Sequence, residues 1–348
     1  AMAACGFFGA VSGSGVASAA AIGKIIGPSM LEEGYPKGLT AGLIAAGGTM
    51  ACIIPPSIVM VVYAQSASVS VGDMFLGGVA PGLLTIIALI VLNSFFAVRR
   101  QKKENKDPHE YTANERMKII LDALLPLLMP VAILGGVFSG LCTATEAAVV
   151  AVVYALFLAV FVYRELTLKD FFKVSADAVV STGVIMLIIS VASPFGWLMS
   201  TQKVPQMFAS WLMSITDSKF LILAFIFLLL MILGMFMETV CIIILTTPIL
   251  LPIATSIGID PIQFGIIMVL NCGIGLLTPP VGAVLFIGSA VAKRPMEKVV
   301  KATLPFYLCM FIALLLLTYV PDISLAIPKL LGGYVSPITN PLGPVFIH

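Results

Sequence analysis

Charge is scarce in this 348-residue chain: Asp, Glu, Lys and Arg make up 10% of it, against about 25% in an ordinary soluble domain. That shortage leaves little room for any water-facing domain. Histidine is almost missing as well. His109 lies in a basic stretch and His348 at the terminus, so neither stands beside a partner for catalysis or metal binding. The six cysteines, Cys5, Cys52, Cys142, Cys241, Cys272 and Cys309, lie in apolar stretches without CxxC or metal spacing. They read as reduced packing residues. No HExxH, GxSxG or phosphate-binding loop occurs, which argues against an intramembrane hydrolase and against ATP hydrolysis. The net charge of +2 sits in short loops and offers no face to nucleic acid. Residues 1–10 are apolar and glycine-rich with no charged leader, so no signal peptide is expected.

Apolar residues are abundant instead: 60% of the chain is hydrophobic and the mean hydropathy is +1.11. This composition predicts an all-α integral membrane protein. Runs near 20 residues mark spans, expected at about 41–64, 79–98, 119–140, 143–163, 177–200, 262–290 and 304–320. Two segments differ. Residues 219–256 form two apolar arms around Gly234 to Thr239, and residues 1–31 form two arms around Ser12-Gly13-Ser14-Gly15, the second ending at Pro28. Both read as re-entrant hairpins. Residues 205–216 are short and amphipathic and are expected to lie along the interface.

The second half repeats the first at an offset of 224 positions. Pro28 falls on Pro252, Gly34 on Gly258, Pro55-Pro56 on Pro279-Pro280, and Pro81 on Pro305. Each double proline interrupts an otherwise spanning helix, and matched breaks in two halves point to a secondary-transport site. Short basic loops face the cytoplasm. The loops at 99–118 and 293–301 are basic, whereas 65–78 holds no Lys or Arg. With those assignments the first hairpin opens from the cytoplasm and the second from outside, so the repeats are inverted. Three spans and an interfacial segment precede the second hairpin. Their counterparts would precede residue 1, so roughly 80–110 further residues are expected there.

Five constellations could carry chemistry. Ser12, Gly13, Ser14 and Gly15 open a helical arm, where small residues let backbone approach a ligand and free N–H groups favour an anion. A capped packing turn explains the same residues. The break from Gly47 to Ser57 and the break from Asn271 to Gly282 free carbonyls that suit Na+, or are simple kinks. Met237, Glu238 and Thr239 form the second tip. A carboxylate inside an apolar run points to function; Glu238 could cap the helix, ligate Na+ or hold a proton, and is read as ordering the tip beside an ion rather than coordinating it. Thr143 and Glu146 fit a capping box. Lys24 reads as an interfacial anchor.

SGSGVASAAAIG at 12–23, IIPPS at 53–57, TATEAAVVAVVYAL at 143–156 and GLLTPPVG at 275–282 together resemble the large, DctM-like membrane subunit of tripartite ATP-independent periplasmic (TRAP) transporters. The resemblance runs from residue 1 to about 325. It implies an elevator-type fold of the ion-transporter superfamily, with two re-entrant hairpins and two broken helices as a mobile body. Transport elements would then be residues 1–78 and 219–292, with scaffold over 79–218 and 293–348, including the basic loop and tail. It further implies Na+-coupled import of a small carboxylate, of the C4-dicarboxylate or sialic-acid type, across a bacterial inner membrane. A small four-helix membrane subunit, separate or fused, and a periplasmic binding protein are the implied partners. Na+ would sit near Ser12 and Ser14 with Gly48, Cys52 and Pro55, and near Glu238 with Gly275, Thr278 and Pro279. The substrate would lie between the two tips, at Ser12, Gly13, Ser14, Gly15, Met237, Glu238 and Thr239. A channel and an intramembrane enzyme are the alternatives from other classes. Flux that stays linear with substrate and ignores Na+ would mark a channel.

Overall fold

The computed structural model describes residues 2–104, 113–215 and 218–338, and among them every regular element is helical. The middle of the basic loop, His109 and the last ten residues lie outside the described residues. In order the helices are α1 (Met2–Ser12), α2 (Gly15–Glu32), α3 (Lys37–Thr49), α4 (Ile58–Ala67), α5 (Val71–Glu104), α6 (Ala113–Phe138), α7 (Ala144–Phe157) and α8 (Leu168–Thr201). There follow α9 (Val204–Ile215), α10 (Lys219–Gly234), α11 (Thr239–Ser256), α12 (Pro261–Gly275), α13 (Ala283–Ala292), α14 (Met296–Tyr319) and α15 (Pro321–Leu331). Five stretches are long and apolar enough to cross a membrane: Val71–Phe96, Ala144–Val162, Leu168–Met199, Thr239–Ser256 and Met296–Tyr319.

The 224-residue offset holds at the level of helix ends. Shifted by it, α2 falls on α11 at both bounds, and Lys37 at the start of α3 falls on Pro261 at the start of α12. Gly34 and Gly258, a matched pair, both adopt positive φ, 81° and 78°. The spans expected at 41–64 and 262–290 are each two helices, α3 with α4 and α12 with α13. The proline pairs explain the breaks, because each proline removes an N–H that a continuous helix needs. Pro28 behaves differently from its sequence reading. Helix α2 continues through it to Glu32, since the turn around it packs inward through Gly27 and Met30 and that burial outweighs one lost hydrogen bond. Residues 204–215 form the expected short amphipathic helix, α9.

The chain divides into two compact units, residues 1–90 with 188–348, and residues 91–187. In the first, α12 is buried at every one of its 15 residues, as a helix apolar all round must be. Two amides interrupt its apolar surface, and both are satisfied. Asn271 donates to the Phe227 carbonyl of α10 at 3.0 Å, and Gln263 donates to the Leu317 and Thr318 carbonyls of α14. Each hairpin packs on both repeats: α2 lies on α3 and α13, and α11 lies on α12 and α4. Glycines set the closest approaches. A Cβ on Gly48 would stand 2.5 Å from Ala19 Cβ, and one on Gly288 2.5 Å from the Ala41 carbonyl oxygen.

One end of this unit gathers a latch that the sequence did not signal. Asp260 caps α12 through Ile262 N at 2.8 Å and is only 4% exposed. Tyr334 donates to its carboxylate at 3.0 Å, and Ser336 donates as well. Tyr63 of α4 donates to the neighbouring Pro261 carbonyl at 2.7 Å. Burial and the adjacent Asp260 carboxylate push the Tyr334 hydroxyl pKa up, because the phenolate would be both desolvated and repelled. The loop poor in Lys and Arg, after α4, therefore shares an end with the start of α12. The basic turn at Lys293 shares the opposite end with α3, where Gly38 faces Ala302 and Lys298.

In the second unit α6 and α7 pair as a hairpin, with Tyr154 donating to the Leu125 carbonyl at 2.8 Å. Thr143 and Glu146 form the expected capping box, side chain to backbone in both directions.

Candidate functional site at two hairpin tips

The first tip turns at residues 12–15, between α1 and α2. Gly13 has φ +63°, and a Cβ there would stand 3.1 Å from Ile58 N. Backbone conformation and the close approach of Ile58 N together favour glycine at this position. The Gly13 carbonyl accepts from Ile58 N at 3.3 Å, which ties the tip to the start of α4, just beyond the first break. Ser14 is the N-cap of α2 and accepts from Ala17 N. Ser12 faces inward, bonded to the Ser18 hydroxyl and to Ser14 N. Gly15 sits on the break itself: its Cβ position is 3.0 Å from Cys52 Sγ and 3.5 Å from the Gly48 carbonyl oxygen. Pro55 is buried between them and Ser57. Ser57 returns a hydrogen bond to the Cys52 carbonyl at 2.7 Å.

The second tip repeats the arrangement. Glu238 is the N-cap of α11, accepting from Val240 N at 2.8 Å. Gly282, which opens α13, donates to the Met235 carbonyl, so this tip too is tied just beyond its own break. Met237 closes the end of α10 through Leu233. Thr239 is 1% exposed and its hydroxyl has no hydrogen-bond partner. At the break, Thr278 donates its hydroxyl to the Ile274 carbonyl at 2.9 Å. The Leu276 and Thr278 carbonyl oxygens lie 3.3 and 3.0 Å from the Cβ position of Gly282, whose φ is +51°. A side chain at Gly282 would fill that cradle. Pro279 follows Thr278 and is partly buried. Gly275 lies flat against Gly234, its Cβ position 2.7 Å from Gly234 Cα.

The two breaks cross at Thr49 and Gly273, 3.9 Å apart at the Cβ position. The two breaks therefore form one neighbourhood, joined at Thr49 and Gly273. The tips are not equivalent. A helix N-terminus carries about half a positive charge. At α11 a carboxylate, Glu238, answers that charge; at α2 only the neutral Ser14 hydroxyl does. The sequence motifs did not mark Tyr307. It lies on α14 and donates to the Ile274 carbonyl at 3.3 Å.

Residues 1–323 match the family described as "Tripartite ATP-independent periplasmic transporter, DctM component". The chain is 43% identical over 329 residues to the C4-dicarboxylate TRAP transporter large permease protein DctM of Pseudomonas aeruginosa, covering 94% of this chain and 76% of that one. It is 41% identical over 330 residues to the isethionate TRAP transporter permease protein DctMQ of Oleidesulfovibrio alaskensis, covering 94% and 51%. With the sialic acid TRAP transporter large permease protein SiaM of Vibrio cholerae the identity is 38% over 327 residues, covering 94% and 76%.

Proposed function

The chain belongs to the DctM-component family of tripartite ATP-independent periplasmic transporters, and from that premise we propose that it is the Na+-coupled subunit that carries small carboxylates across a bacterial inner membrane. The family is one of multi-pass transporter permeases and not of enzymes. The proposed substrates, C4-dicarboxylates, sialic acids or a related acid such as isethionate, follow the names of the relatives. The proposed partners are a small four-helix membrane subunit, separate or fused as the name DctMQ suggests, and a periplasmic binding protein that delivers the substrate.

The observation that carries the reading is the pair of hairpin tips, each tied to the helix beyond its own break, one capped by a carboxylate and the other by a neutral hydroxyl. The substrate carboxylate is assigned to the first tip, at Ser12, Gly13, Ser14 and Gly15, where the α2 terminus is capped only by a hydroxyl. Na+ is assigned to oxygens of the breaks: around Ser12, Ser14, Gly48, Cys52 and Pro55 in one, and around Gly275, Thr278 and Pro279 beside Glu238 in the other. Met237 and Thr239 would face the substrate from the second tip. The cradle of carbonyls at Gly282 supports the Na+ assignment, because buried oxygens gain most from a cation. Helix α11 has 18 residues, about 27 Å. Its re-entrant placement therefore rests on the inverted topology and not on length. One site reached from both faces requires movement, so the hairpins and broken helices shift together against the spans that do not pack on the breaks.

Ser14→Asp tests the substrate assignment. Asp caps a helix as well as Ser does, so the fold should hold. A fixed carboxylate at the α2 terminus should repel the substrate's own. Uptake by the complete complex should fall about tenfold or more, mostly through a raised KM, a loss of about 1.4 kcal/mol or more of binding. Unchanged uptake by a well-folded variant would place the substrate elsewhere.

A further inference from the structure

On the reading that the second break binds Na+, we propose that Tyr307 is a positioning residue for that site, acting through the Ile274 carbonyl on the Thr278 hydroxyl. Three donors meet at that one carbonyl oxygen: Leu277 N at 3.0 Å, Thr278 Oγ1 at 2.9 Å and Tyr307 OH at 3.3 Å. A threonine hydroxyl that gives its proton to a carbonyl points its lone pairs away from it. Those lone pairs are what a cation uses. The direction in which Thr278 presents its oxygen is therefore set by the aim of the Ile274 carbonyl, and Tyr307 holds that carbonyl from a separate helix.

The turn that carries Tyr307 is placed by Met310, one turn of helix beyond it. Phe306 and Met310 are fully buried. Met310 Sδ lies 3.8 Å from the Thr49 hydroxyl, which donates to the Ala46 carbonyl at 2.7 Å, where the first break begins. One turn of α14 thus touches both breaks. The repeat supplies an independent argument. At the 224-residue offset, Thr278 corresponds to Ile54 and Tyr307 to Leu83. The same backbone design is built in the first repeat without either hydroxyl. The fold does not demand the pair, and both members are polar only in the second repeat. This pairing is a specialisation of the second break.

The test is a Na+ titration of thermal unfolding, at constant ionic strength with choline, on the full chain purified with its companion membrane subunit. Wild type, Tyr307→Phe, Thr278→Val, the double variant and Phe306→Leu are compared by the Na+ concentration that gives half of the stabilisation. Tyr307→Phe keeps the ring and removes one neutral hydrogen bond. It should raise half-saturation about two- to tenfold, the range one such bond is worth. If Tyr307 acts through Thr278, the double variant should be no weaker than Thr278→Val alone. Phe306→Leu should lower the unfolding midpoint without moving half-saturation. A Tyr307→Phe protein with wild-type half-saturation overturns the proposal. So do effects that multiply in the double variant, or a Phe306→Leu shift as large as that of Tyr307→Phe. If wild type is not stabilised by Na+, or if Thr278→Val leaves the Na+ dependence intact, the Na+ reading of this break fails as well and the proposal falls with it.

Discussion

Gly275→Val is expected to leave no correctly assembled protein, and transport with it. A Cβ at Gly275 would stand 2.7 Å from Gly234 Cα and 3.0 Å from Gly234 C. Both are backbone atoms, so no rotamer change can relieve the clash. Helices α10 and α12 would have to separate, and α12 is buried along its whole length. Asn271 ties the same two helices through the Phe227 carbonyl, so separation would strand a buried amide too. Overpacking of this kind costs about 3 kcal/mol or more, and a lost buried hydrogen bond adds about 1–3 kcal/mol. Together these approach the whole stability of many proteins. Gly135→Val is the control, because a Cβ at Gly135 meets nothing within 4 Å. Size-exclusion profiles and thermal midpoints of the two variants check this. A monodisperse Gly275→Val protein with a wild-type midpoint would mean that the helices are not in backbone contact.

Glu238→Gln should separate the cap at the second tip from its charge. Both Glu and Gln can accept from Val240 N, the 2.8 Å bond that starts α11, so the variant should fold with a midpoint close to wild type. Glu238→Ala should lose the cap as well, a loss of about 0.5–2 kcal/mol. On the proposed function the negative charge orders the tip beside a cation. Na+-driven uptake by the folded Glu238→Gln complex should then fall about tenfold or more, the effect of about 1.4 kcal/mol. Full uptake by Glu238→Gln, with loss only in Glu238→Ala, would reduce Glu238 to a cap.

Much of this architecture is written in the punctuation of the chain. Proline pairs and glycines have local consequences, so Pro55-Pro56, Pro279-Pro280, Gly34 and Gly258 located the breaks and turns without any tertiary information. The capping box at Thr143 and Glu146 was legible for the same reason: it spans one turn. What escaped were contacts between distant segments. Asp260 is the N-cap of α12, and nothing near it in sequence announces Tyr334 and Ser336, more than 70 positions later. Gly234 and Gly275 are unremarkable apart and meet only when α10 lies on α12. Tyr307 belonged to a span assigned to the scaffold by resemblance, and only the packing of α14 along α3 and α12 brings it to the break. Gly13 was legible as a small residue at a tip. Its backbone requirement appears only with its φ of +63°.

The central claim is that matched breaks and unequal tips couple a carboxylate to Na+. Uptake by the complete complex in proteoliposomes, with its binding protein and the cognate carboxylate outside, tests this most directly. An inward Na+ gradient without ATP should drive accumulation, and replacing Na+ with choline on both sides should abolish it. Accumulation that continues undiminished in choline would contradict the claim.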